Sequence, residues 1–135
     1  MALVNMAGTK GSSFTLSSGG LETNTYVLSD VSDGMVGTIM VHLDTTSAGT
    51  VSIVVKGRPR SVAWAATTPP FLPIPYLSLC DGGTVVAGAT YSTAALTGDG
   101  DLILVPATGL SIALEVTYTN GTHVIRWDAD VGAAA

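Results

Sequence analysis

Only 15 of the 135 residues are charged, five basic and ten acidic, giving 11% charged residues and a net charge of −5. A soluble domain usually carries about a quarter. That balance argues against a protein whose main task is gripping a phosphate backbone, and a lone cysteine, Cys80, excludes an internal disulfide framework. Eighteen Thr, twelve Ser and sixteen Gly take the place of the missing charge. Thr, Val and Ile together number 39, and β-branched residues are stiff in helices but fit pleated sheets. The expectation is one all-β domain with a neutral, hydroxyl-covered surface, much of it packed against other subunits.

In chain order, residues 1–20 read as a flexible N-terminal arm with a possible short strand, its apolar points being Leu3, Val4, Phe14 and Leu16. MALVNMAGTKGSS lacks a basic start and a long apolar core, so no signal peptide is expected. No run approaches the 18 apolar residues of a membrane helix. A sandwich domain is expected over 21–135. Strands are predicted at 21–29, with Tyr26 and Leu28 on one face, and at 35–43, with Met35, Ile39, Val41 and Leu43 inward and Thr38 and His42 outward. A turn at 44–49 leads into a strand at 50–56 with Val51, Ile53 and Val55 inward, which reads as a hairpin.

A short strand at 60–65 carries Trp64. Four of the six prolines then fall in 67–75, which predicts an extended loop and no central strand. Turns at 81–83 and 98–100 separate short strands at 84–88, 90–96 and 101–105. The clearest local pattern is C-terminal: Leu110, Ile112, Leu114, Val116 and Tyr118 alternate with small or polar residues up to Asn120–Gly121, the signature of a two-residue type I′ hairpin. That register pairs Tyr118 with His123 and Leu114 with Trp127, and it sets Glu115 opposite Arg126 as a cross-strand ion pair. Eight to ten strands with frequent turns predict a single antiparallel β-sandwich, jelly-roll-like.

The residues offer little chemistry. His42 and His123 sit in no nucleophile or metal motif, no G-x-S-x-G elbow occurs, and Cys80 has no activating base nearby in sequence. Asp99 with Asp101, and Asp128 with Asp130, lack the spacing of a calcium loop and read as turn and strand-end residues. Asn120–Gly121–Thr122 matches the glycosylation pattern but is explained by the turn. No enzyme activity, cofactor or metal is expected. Two candidate partner surfaces remain. Lys56, Arg58 and Arg60 concentrate three of the five basic residues, so they could orient the protein on an acidic partner. The Pro-rich loop offers Phe71, Leu72, Ile74 and Tyr76 on a segment with little conformational freedom to lose.

An acidic short chain, a Gly/Ser/Thr-rich sandwich, an N-terminal arm and no catalytic motif together resemble the capsid decoration (cement) proteins of tailed bacteriophages. The resemblance spans the chain in composition and strand organisation. It implies a virion structural protein on the capsid exterior, assembled in the host cytoplasm, that binds the major capsid protein and copies of itself, often as a trimer. No direct nucleic acid or membrane contact is implied. With it, Leu3, Val4 and Lys10 of the arm join Lys56, Arg58, Arg60, Phe71 and Leu72 as contact residues. A tail-tube or head-fibre component, or a carbohydrate-binding β-sandwich module, are the alternatives.

Overall fold

The computed structural model describes residues 3–29, 36–59, 70–88 and 90–131. Among them are twelve strands: β1 Leu3–Asn5, β2 Ser13–Ser17, β3 Glu22–Ser29, β4 Val36–Ser47, β5 Thr50–Pro59, β6 Leu72–Pro73, β7 Tyr76–Asp81, β8 Thr84–Val85, β9 Tyr91–Ser92, β10 Leu102–Pro106, β11 Leu110–Thr119 and β12 Thr122–Val131. The only helical element described is a 3-10 turn, Ala7–Thr9. Eight strands have five residues or more, in the range expected; the others are two- or three-residue edges.

The strands form two sheets, β1-β3-β11-β5-β6 and β2-β12-β4-β10-β7-β8, with β9 on β7. Every pair is antiparallel except β1 with β3. The outgoing strands β2, β3, β4 and β5 pair with the returning strands β12, β11, β10 and β6, and successive pairs fall in opposite layers. An antiparallel ribbon wrapped in this way is a jelly roll. The accessible surface, 6766 Å², is close to the roughly 6,500 Å² expected for a folded monomer of this mass.

Period-two alternation explains which side chains fill the interior. Ile39, Val41 and Leu43 on β4, Val51, Ile53 and Val55 on β5, and Ile112, Leu114, Val116 and Tyr118 on β11 are all buried, as expected. Ile125 and Trp127 join them from β12. Thr38 and His42 are half-buried on the other face of β4. Residues 3–17 are anchored in both layers. β1 pairs with β3, and β2 pairs with β12 while placing Phe14 and Leu16 in the core. Between them, Met6 N–H donates to Val27 O in one sheet (2.8 Å) and Gly11 N–H to Trp127 O in the other (2.9 Å). The pairing therefore shows no boundary at residue 20.

The two hairpins expected at 44–56 and 110–127 are corrected by the sheet order. β4 and β5 lie in different sheets, and so do β11 and β12. Each tight turn is an arch that carries the chain across the sandwich. Residues at both turns keep positive φ, Ala48 and Gly49 in one, Asn120 and Gly121 in the other. The two corners lie back to back, with Ser47 paired to Thr122 and Thr50 to Thr119. A Cβ on Gly49 would collide with the carbonyl oxygens of Thr119 and Asn120, and one on Gly121 with that of Ser47. Glycine is thus required twice by close approach as well as by φ. An arch and a hairpin bury the same alternate side chains, so alternation cannot tell them apart. What differs is the outward set, which an arch sends to opposite faces.

Met35, Arg60, Trp64 and the predicted strand at 60–65 lie outside the described residues. Of the strands predicted at 84–88 and 90–96, the two-residue edges β8 and β9 form, together with a bridge of Leu96 to Ile53.

Candidate partner interface

The basic segment and the proline-rich segment, separate in sequence, meet in the fold. β6 adds to the edge of β5, pairing Lys56 with Pro73 and Gly57 with Leu72. This seats the proline-flanked segment beside the basic segment. Proline suits an edge because an edge strand needs no donor on its open side. Gly57 makes the approach possible: a Cβ there would sit 3.0 Å from Ile74 Cδ1, and Ile74 packs against the core. The Arg58 guanidinium lies 4.1 Å from the Phe71 ring centroid, a cation–π contact. Leu72 remains 60% exposed.

Lys56 Nζ donates to Glu115 Oε2 at 2.8 Å, with both side chains largely covered. This overturns the expected Glu115–Arg126 pair. Glu115 lies on the outer face of the β11 sheet, whereas Arg126 is exposed on the β12 sheet. Stacked sheets are about 10 Å apart before the outward side chains are added. Arg126 instead donates to Asp44 Oδ2 at 3.3 Å, and His42 Nδ1 lies 3.7 Å from Asp44 Oδ1. The basic patch is correspondingly less naked than its sequence implies, because Lys56 is matched by an acid and Arg58 is stacked on a ring.

The other candidates lie elsewhere. Leu3, 69% exposed, and Val4, half-buried against the core, are on β1 at the opposite edge of the same sheet. Lys10 is exposed in the crossing segment between β1 and β2. Arg60 lies outside the described residues. The eight candidates therefore do not make one patch: Lys56, Arg58, Phe71 and Leu72 mark one side of the sandwich, and Leu3, Val4 and Lys10 mark the other.

The polar residues with burial are structural. His123 is fully buried at the double corner. Its Nε2 faces the carbonyls of Thr119 (3.2 Å) and Asn120 (3.1 Å), and its Nδ1 meets the Thr46 hydroxyl. Carbonyls only accept, so Nε2 carries a proton and donates to them. Asp101 is buried, and its two oxygens accept from Gly82 N–H (2.7 Å) and Gly98 N–H (2.9 Å), tying two turns together. It borders a cleft of about 360 Å³ that Tyr76, Ser78, Asp81, Ser92 and Thr97 also line. Burial raises the Tyr76 phenol above its usual range, and its hydroxyl donates to Ala94 O at 2.6 Å. Tyr118 is raised further, by burial and then by hydrogen bonds to Tyr26 and Glu22. Cys80 is half-buried and free. Among the described residues, no three His, Cys, Asp or Glu side chains converge as metal ligands would.

Sequence reasoning missed Asp44 as the partner of Arg126. It also missed the exposed apolar side chains Leu21, Val85, Tyr91 and Met40. The alternation of 38–46 puts Asp44 in phase with His42 and held the first signal; the others lie at strand ends or on outer faces, where alternation carries no burial information. Comparisons of the chain with protein-family models, curated proteins and solved structures found no match to any of them.

Proposed function

We propose that this chain is a non-enzymatic structural protein of a virus particle, a capsid decoration protein that binds the major capsid lattice and stabilises the head. The observation that carries this reading is the state of its few charges. Lys56 is tied to Glu115, Arg126 to Asp44, and Arg58 to the Phe71 ring, each within one layer of the sandwich. Beside the exposed charges Lys10, Glu22, Asp81, Asp99 and Asp128, what is left outward is mostly hydroxyl-bearing and small residues, with apolar Leu3 and Leu72 at the two edges of one sheet. Such a surface suits burial against copies of itself and against a shell, where an unmatched charge would carry a desolvation penalty. The action is mechanical: intersubunit area and added strands hold neighbouring capsomers together.

The test is to purify particles of the virus whose genome encodes the chain and to ask where the protein sits. Quantitative mass spectrometry should find it in a fixed ratio to the major capsid protein, and gold-labelled antibody should decorate the head. Label confined to the tail tube or to fibres would replace the decoration role by one of those. Absence from particles, or specific retention on a glycan array, would overturn the proposal.

A further inference from the structure

Among the described residues five strands border the two sheets: β1 and β6 in one, β2, β8 and the two-residue β9 in the other. β6 and β8 are two residues long and β1 is three, whereas β2 is five. Exposed edges are normally kept from pairing with other chains by shortness, proline or charge. β6 carries Pro73, but β2, Ser13-Phe14-Thr15-Leu16-Ser17, contains neither proline nor charge. Its hydrogen-bonding phase is set at its start. Gly11 N–H donates to Trp127 O (2.9 Å) and Trp127 N–H to Ser12 O (3.4 Å), a bulge opposite Trp127. From Ser12 onward the antiparallel alternation turns the main-chain groups of Phe14 and Leu16 toward β12. Those of Ser13, Thr15 and Ser17 face away from it, and among the described residues no strand pairs with that side.

We propose that β2 pairs with the β2 of a second copy, antiparallel, across a two-fold axis at Thr15. The strand is self-complementary about that residue. Ser13 then opposes the partner's Ser17, Thr15 opposes the partner's Thr15, and each of these outward pairs exchanges two main-chain bonds. Hydroxyls oppose hydroxyls on the solvent face, which are favourable cross-strand pairs. On the inner face Phe14 opposes the partner's Leu16. Both side chains are in the core, Phe14 with its ring 5.5 Å from that of Tyr26, so the two cores meet at the seam.

Charge agrees with this arrangement. Exposed Lys10 precedes the strand and exposed Glu22 follows its turn, so a two-fold axis brings each lysine toward the partner's acidic end, twice, with no like charges opposed. Leu3, 69% exposed on β1, lies on the same side in the other layer. The contact can thus span both sheets, as an interface of about 800 Å² per partner requires. The pair is isologous and closed. It replaces the trimer implied by resemblance with a dimer, and it holds whether or not the protein comes from a virus.

The test uses the full chain in sedimentation velocity across about 1–100 µM, with two variants. Thr15→Pro removes an N–H that the monomer does not use and is tolerated on an open edge. Thr15→Cys puts a thiol on the axis, where the 5.5 Å Cα spacing of a bonded pair lies within disulfide range. The expected result is a dimer for the native chain and a folded monomer, by circular dichroism, for Thr15→Pro. Thr15→Cys should form a covalent dimer on oxidation, and a Ser52→Cys control on the outer face of the other sheet should not. A native monomer throughout this range, a dimer or trimer that survives Thr15→Pro, or an oxidised Thr15→Cys that stays monomeric would overturn the proposal.

Discussion

On one side of the sandwich, β6 is two residues long, carries Pro73 and lies beside a guanidinium stacked on Phe71. On the other, β2 runs for five residues with neither proline nor charge, its hydroxyls outward and its Phe14 and Leu16 in the core. Both sides close the same two layers, yet one is protected against adding a strand and the other is not. The difference teaches where affinity can come from in a chain so poor in charge. The basic segment is the more conspicuous feature of the sequence, but its lysine is already matched by Glu115. The plain N-terminal strand offers unmatched main-chain groups.

The largest effect should come from asking whether the bare side belongs to the fold at all. Leu16→Ala should lose about 2–5 kcal/mol of unfolding free energy in urea denaturation, the usual range for truncating a buried leucine. A loss under about 1 kcal/mol would mean that β2 is an appendage and would dissolve the contrast. On the protected side, Asp101→Ala leaves two turn N–H groups without their charged acceptor. It should lose about 2–3 kcal/mol by the same measurement.

The two sides should respond alike to alkali, because each holds a buried phenol. Tyr76 lies toward the protected side, and Tyr118 donates to Glu22 on β3, next to the bare one. Both phenols are raised in the folded state, so the folded chain binds more protons than the unfolded chain above pH about 10, the ordinary tyrosine value. Their contribution is therefore complete below that pH and is lost as pH climbs toward the folded values. Denaturation midpoints should be flat from neutral pH to about 10 and fall beyond it. Tyr118→Phe should flatten that fall while losing about 1 kcal/mol near neutrality through its hydrogen bond. An unchanged alkaline slope in Tyr118→Phe would put the titration elsewhere.

The smallest effects belong to the surface of the protected side. Phe71→Ala should lose about 0.5–1 kcal/mol by thermal denaturation. Glu115→Gln should lose less than about 1 kcal/mol, an amount that shrinks further in high salt. A loss several times larger from Glu115→Gln would show that the ion pair holds β5 to β11 and is not a surface trim.

The strand content was legible because alternation is local: Ile39, Val41 and Leu43, or Ile112, Leu114 and Val116, announce their inward face without help from the rest of the chain. The turn residues were legible too, since Gly49, Asn120 and Gly121 do take positive φ. The pairing across those turns was not. A type I′ signature reports a reversal of direction, and alternation reports a buried face, but neither says whether the next strand lies beside the last one or across the core from it. That choice rests on the second corner stacked against the first, some seventy residues away in sequence, and on His123 holding the carbonyls of both Thr119 and Asn120.

The candidate contact residues followed the same division. That Lys56, Arg58, Phe71 and Leu72 carry an unusual charge and apolar load was readable in the chain. That β6 brings them together, and that Leu3, Val4 and Lys10 lie on the far side, came from the sheet order. By itself, the sequence determined an all-β chain, its inward faces and the scarcity of charge, because those follow from residue type and period two. Only the tertiary structure decided which strands are neighbours, which charges are matched and which edge stays open, because each depends on segments distant in sequence meeting in one layer.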